Sequence, residues 1–286
     1  MKKALPILSV VTALFLGYAL HQALYVAPTE QTMGDVQRIF YVHVPSAWTA
    51  FLLFFINFVA SIQYLVHTSA TARRTALWIA IAIGVVGAAV PFFFISQLAQ
   101  MGMLPSSVAT TALALPLFYW LVGKYFPGQA LDALAVTAAE VGVVFCTIVL
   151  ITGPLWAKPV WGIWWAAGDI RLTSTLVLWL IYLSYLVLRR FSNSAQTQTL
   201  AAALAVFGAL DVPLVYFSIW FFRTQHPQPV IGGGGSIDPR MLHVLLISWL
   251  AFLFLAFLLC WSRYQMEQLR REVEEAESLE SLEATA

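Results

Sequence analysis

ALAVTAAEVGVVFCTIVLITGPLWAKPVWGIWWAAGDIRLTS, residues 133–174, joins an apolar run to a tryptophan-rich segment and then to the start of another apolar run. Residues 133–153 hold a single charged side chain, Glu140. A helix of roughly 20 apolar residues crosses about 30 Å of hydrocarbon, so the run reads as a membrane span and the segment after it as its water-facing connection. Tryptophan belongs at such a boundary, because its indole is apolar with one polar N–H. Three of them, Trp161, Trp164 and Trp165, stand close together beside Lys158, Asp169 and Arg171. That density exceeds what anchoring needs and suggests a flat aromatic platform for a planar ligand.

The rest of the chain repeats the apolar pattern. Of 286 residues, 60% are hydrophobic and 10% charged, which excludes an ordinary soluble domain. Runs of crossing length fall near 5–27, 47–67, 76–97, 107–123, 133–153, 172–188, 199–222 and 241–261. The predicted fold class is all-α, a polytopic transmembrane helix bundle of about eight spans. The first run lacks a small-residue cleavage site, so it is read as a retained helix and the chain is expected to start near Met1. Basic residues favour the cytoplasmic side of short loops. With Met1 inside, Lys2, Lys3, Arg73, Arg74, Lys124, Arg189, Arg190, Arg263, Arg270 and Arg271 lie inside, against Arg38, Lys158, Arg171, Arg223 and Arg240 outside. Both termini are therefore expected to be cytoplasmic. Residues 266–286 read as an acidic, solvated cytoplasmic tail with no catalytic role.

The outer segments are expected at about 28–46, 98–106, 154–171 and 223–240. In the first, His43 precedes Val44 and Pro45, which places it at the outer mouth of the second span. In the last, His226 is followed by Pro227, Pro229 and Gly232 to Gly235, a loop whose backbone can approach a ligand closely. Two neutral imidazoles on one face suit the two axial positions of a haem iron, which makes His43 and His226 the candidate metal ligands. Arg38, Lys158, Arg171, Arg223 and Arg240 are available there to pair with propionates. His21, His67 and His243 read as interfacial or packed residues. Cys146 and Cys260 lie in apolar runs without CxxC spacing and read as core residues rather than a disulfide.

Two carboxylates stand at membrane depth, Glu140 and Asp211, the latter just before Val212 and Pro213. Such groups face a bundle interior, and two roles stay open for each: hydrogen bonding between helices, or proton and ligand traffic.

The tryptophan block, FYVHVPSAW, AEVGVVF, DVPLVY with RTQHPQP, and SIDPRM occur in order along the chain and cover roughly 28–68 and 130–265. Together they resemble the haem exporter protein C family (CcmC) of cytochrome c maturation. The resemblance implies a bacterial inner-membrane protein that binds haem on its periplasmic face, between histidines matching His43 and His226 with the tryptophan block between them. It implies handover to a periplasmic haem chaperone, CcmE, alongside ABC-type ATPase and permease subunits on separate chains. It implies binding and transfer, not an enzyme; the lipid bilayer is the solvent and no nucleic-acid partner is expected. The family motif W-G-x-W-W-x-W-D-x-R-L carries over to Trp161, Trp164, Trp165, Asp169 and Arg171. Here Ala166, Ala167 and Gly168 make the approach to Asp169 one residue longer and without the last tryptophan.

The segment 70–129 does not match the six-span family pattern and reads as an inserted pair of spans, which leaves the outer loops on the same side. The expected organisation is then a haem-handling domain over 1–265 followed by the tail. Two rival readings are a secondary transporter or channel using Glu140 and Asp211, and an electron-transfer subunit. The second predicts histidines buried within spans, whereas the best two here lie in outer segments.

Overall fold

The structure is a computed structural model that describes residues 4–68, 104–192, 194–222, 224–227 and 237–284, with side chains for all of these except 104–113 and Trp220. Among the described residues there is no named β-strand, and the chain is a succession of helices. Helix α1 (Ala4–His21) continues as a π turn to Val26, and a 3-10 turn (Asp35–Ile39) leads into α2 (Phe40–Thr68). Then follow α3 (Leu104–Tyr125), α4 (Gln129–Trp161), α5 (Ile170–Phe191), α6 (Ala195–Ala209), α7 (Asp211–Phe221) and α8 (Pro239–Glu283). A backbone in hydrocarbon must satisfy every N–H and C=O internally, which is why the apolar runs are helical.

Among the described residues six stretches are long and apolar enough to cross a membrane: 4–26, 35–68, 129–161, 170–191, 195–219 and 239–283. Each contains or largely overlaps one expected span. The run at 107–123 lies in α3, and the run at 76–97 falls outside the described residues. The fold is thus the multi-pass helical bundle read from the sequence. Helices α6 and α7 belong to one crossing interrupted at Leu210, where Pro213 in the first turn of α7 cannot donate to the preceding turn.

Helix ends depart from expectation in two places. Helix α2 begins at Phe40 with Pro45 inside it, so His43 sits in its first turn rather than ahead of it. Helix α4 passes through Pro154 and Pro159 and includes Trp161, so part of the expected outer segment is helical. A proline removes one helical hydrogen bond, and packed neighbours tolerate that at membrane depth. The helix stops instead at Gly162, left-handed at φ 78°, whose N–H donates to Lys158 O.

The centre of the bundle is the α2–α4 contact. Phe54 stacks on Tyr182 of α5 at a ring separation of 3.8 Å, and Phe145, Leu178, Ala201 and Ala205 complete the same buried cluster. Gly142 lets the two helices approach: a Cβ there would meet Phe54 Cε1 at 2.7 Å. Since Phe54 is pinned by Tyr182, it cannot swing away. Gly142→Val is expected to cost about 1–3 kcal/mol of overpacking, read as a lowered thermal midpoint in detergent. Gly17→Ala, where nothing lies within 4 Å, should leave the midpoint unchanged.

At one end of the bundle α4, α5 and α8 are joined by ions. Asp132 accepts from Arg189 and Arg271, each at 2.6 Å. Glu267 accepts from Arg263, Arg270 and Arg271, and Arg263 also pairs with Glu140. The acidic run is therefore not a wholly solvated tail: it continues α8 to Glu283, and Glu267 is 1% exposed. Cys146 and Cys260 are free, as expected.

Candidate functional site

The opposite end of the bundle collects the start of α2, the end of α4, the start of α5 and residues 224–227. His43 and His226, from α2 and from the segment after α7, bring their rings to a centroid separation of 6.5 Å with 33° between planes. Metal–imidazole bonds of about 2 Å on opposite sides of one ion place the two ring centres about 6 Å apart. The ring separation of this pair is compatible with both imidazoles reaching one metal ion. No group of three or more His, Cys, Asp or Glu able to hold a metal occurs among the described residues, which sets this pair apart from a polydentate cation site.

Each ring has its Nδ1 engaged. His43 Nδ1 lies 2.9 Å from Thr152 Oγ1, and Thr152 Oγ1 itself donates to Ile148 O at 2.7 Å. His226 Nδ1 lies 2.9 Å from the carbonyl oxygen of Pro227, which can only accept, so Nδ1 carries the proton. Among the described residues neither Nε2 atom makes a hydrogen bond. Burial, and next the Arg171 guanidinium, push His226 down to about 3, so the ring is neutral with its lone pair available.

His226 is held by Asp169. This carboxylate caps α5 by accepting from the N–H groups of Arg171 and Leu172 at 3.0 and 3.2 Å. Its other oxygen accepts from Thr224 Oγ1 and from Gln225 N, and His226 N donates to Thr224 Oγ1 at 3.1 Å. Burial raises the Asp169 pKa, but these hydrogen bonds outweigh it and hold the carboxyl below its usual range. Asp169, 4% exposed, thus spends its acceptors on fastening the His226 segment to the end of the tryptophan loop. Within that loop Asp169 N donates to Ala166 O, and Thr173 Oγ1 donates to Ala167 O.

Trp161 lies edge-on to Trp156, with ring centres 5.0 Å apart, at the end of α4. Trp164 is exposed, with Lys158 Nζ 5.9 Å from its ring centre, and Trp165 is half-buried. Of the basic residues read as free for propionates, Arg38 instead ties the end of α1 to the 3-10 turn, donating to Ala23 O, Ala27 O, Thr29 and Asp35. Arg240 pairs with Asp238 at the cap of α8, and Arg223 falls outside the described residues. Arg171 differs from these: its Nη1 is buried without a hydrogen-bond partner. A buried guanidinium nitrogen is satisfied by water or by an anion, so Arg171 has a donor to offer such a partner. Sequence reading missed Thr152 and Thr224, since a lone threonine near a helix end carries no signal of the ring or backbone it will support.

Fold and site together define a multi-pass helical membrane protein with a paired-imidazole centre at one end of its bundle. The model of the family described as Heme exporter protein C, CcmC, matches residues 1–98 and 106–279, so the chain belongs to that family. The match runs through most of 70–129, leaving 99–105 outside. The chain is similar to Heme exporter protein C of Bradyrhizobium diazoefficiens, at 27% identity over 98% of this chain and 84% of the relative. That of Haemophilus influenzae is 27% identical over 94% of this chain and 87% of the relative. That of Escherichia coli K12 is 38% identical over 43% and 50%, respectively. The family is one of membrane transport components, not of enzymes.

Proposed function

We propose that this protein holds haem between His43 and His226 at the periplasmic end of its bundle and delivers it to the haem chaperone CcmE for c-type cytochrome biogenesis. The observation that carries the reading is the imidazole pair, 6.5 Å apart with both Nδ1 atoms occupied and, among the described residues, neither Nε2 atom hydrogen-bonded. Axial imidazoles hold the iron, Trp161, Trp164 and Trp165 offer aromatic surface beside it, and Arg171 receives a propionate. Asp169 acts on His226 through Thr224 and Gln225. ABC-type ATPase and permease subunits would be separate partner chains.

The orientation follows from charge. Arg189, Arg263, Arg270 and Arg271 gather at the end away from the histidines, which favours that end, both termini and the 266–286 extension in the cytoplasm. The rival transporter reading loses one of its two carboxylates, because Glu140 is already paired with Arg263.

The direct test is to add haem to the detergent-purified protein, record its absorption spectrum, and then mix it with purified apo-chaperone. Haem should be retained at first and move to the chaperone on mixing; a protein that takes up no haem, or never passes it on, overturns the proposal. Arg171→Gln is expected to weaken haem binding by about tenfold or more, the worth of a charge-assisted hydrogen bond. The penalty should vanish for haem dimethyl ester, whose propionates carry no charge. An equal penalty for both ligands would remove Arg171 from that role.

A further inference from the structure

The two imidazoles are supported in different ways, and that difference carries an inference resting on the haem reading above. We propose that Thr152 is a positioning residue for His43: its hydroxyl fixes the ring's tautomer and direction so that Nε2 faces the ligand site.

A hydroxyl has one proton. In Thr152 that proton is committed to Ile148 O, one turn back on α4, at 2.7 Å. What Thr152 Oγ1 offers to the nitrogen 2.9 Å away is therefore a lone pair, so His43 Nδ1 carries the hydrogen and Nε2 is the basic nitrogen. The bond crosses from α2 to α4, two helices in direct contact, so the ring direction is referred to a second helix rather than to its own. The next residue helps. A Cβ at Gly153 would lie 3.5 Å from His43 Cε1, so the imidazole rests against the α4 backbone and is hemmed in on that side. His226 has no such reference on another helix for its ring, whose Nδ1 bonds to the carbonyl of the very next residue. Its placement comes from the backbone contacts to Asp169. A ligand imidazole that donates from its other nitrogen is held in one tautomer and made more basic, and losing such a partner costs about 10- to 100-fold in metal affinity.

Thr152→Val keeps the side-chain volume and removes the hydroxyl, and with it both the acceptor for His43 Nδ1 and the bond to Ile148 O. Haem affinity of the purified protein should fall about 10- to 100-fold and the reduction potential of the bound haem should rise, because a less basic imidazole stabilises ferric iron less. Thr152→Ser should restore both. Gly153→Val, which presses on the ring from the same helix, should also weaken binding, whereas Gly153→Ala, at ordinary contact distance, should not. Thermal midpoints of all four proteins report folding separately from binding. Wild-type affinity and potential in Thr152→Val would overturn the proposal, as would Thr152→Ser behaving like Thr152→Val. His43→Ala serves as the control. If it leaves haem binding unaltered, the ligation reading fails; if it abolishes binding while Thr152→Val is silent, the Thr152 role alone fails.

Discussion

Purified His43→Ala and His226→Ala proteins are expected to take up haem with affinity lowered by more than the roughly 10- to 100-fold that losing a supporting partner costs. Each single variant should change from the absorption spectrum of a six-coordinate iron to that of a five-coordinate one, and the double variant should retain almost no haem. The reason is the pairing itself: the rings stand 6.5 Å apart, and removing either leaves one axial position empty. Neither change should disturb the fold. His43 lies in the first turn of α2 and His226 in a short irregular segment, both partly exposed at one end of the bundle. Added imidazole should enter the vacated position and return the six-coordinate spectrum to each single variant but not to the double. Singles that keep the wild-type spectrum and haem content would show that the two rings are neighbours without being ligands.

Which parts of this arrangement can be read from residues follows from how far each signal reaches along the chain. The crossings are legible because twenty apolar residues in a row have one stable outcome in hydrocarbon. Their ends are less so: Pro45, Pro154 and Pro159 look like boundaries, yet the helices run through them because packed neighbours satisfy what the prolines give up. The two histidines stand out through flanking prolines and their place between spans, but the contact between them joins segments whose meeting no local pattern encodes. Asp169 is legible as a helix cap next to the tryptophans, and its hold on Thr224 and Gln225 is not, since those partners are 55 and 56 residues away. Glu140 reads as a costly intramembrane carboxylate, and its partner Arg263 lies 123 residues along the chain. The acidic extension carries a local signal of its own. Arg263, Glu267, Arg270, Arg271 and Glu274 recur at three- and four-residue spacing, the pattern of a helix laced by ion pairs.

That lacing makes the loss of Asp132 costly at the end of the bundle away from the histidines. Its side chain is 3% exposed, and one oxygen, Oδ2, accepts from Arg189 of α5 and Arg271 of α8, both at 2.6 Å. Arg189 is itself 5% exposed at the side chain, and its Nη1 has no partner, so Asp132 is the counter-charge on which its burial depends. Removing one member of a buried pair leaves the other charge desolvated and costs about 3–5 kcal/mol, far more than an exposed pair is worth. Asp132→Ala is accordingly expected to lower the thermal midpoint in detergent steeply and to loosen α8 from α4. Glu274→Ala removes a partner of Arg270 where both side chains are more than a third exposed, and should change stability by about 1 kcal/mol or less. Adding Arg189→Leu to Asp132→Ala tests the cause, because an apolar side chain no longer needs a counter-charge. The double variant should recover part of the lost stability. If it proves no more stable than Asp132→Ala alone, the stranded charge is not what Asp132 prevents, and the carboxylate matters through Arg271 and the α8 contact instead.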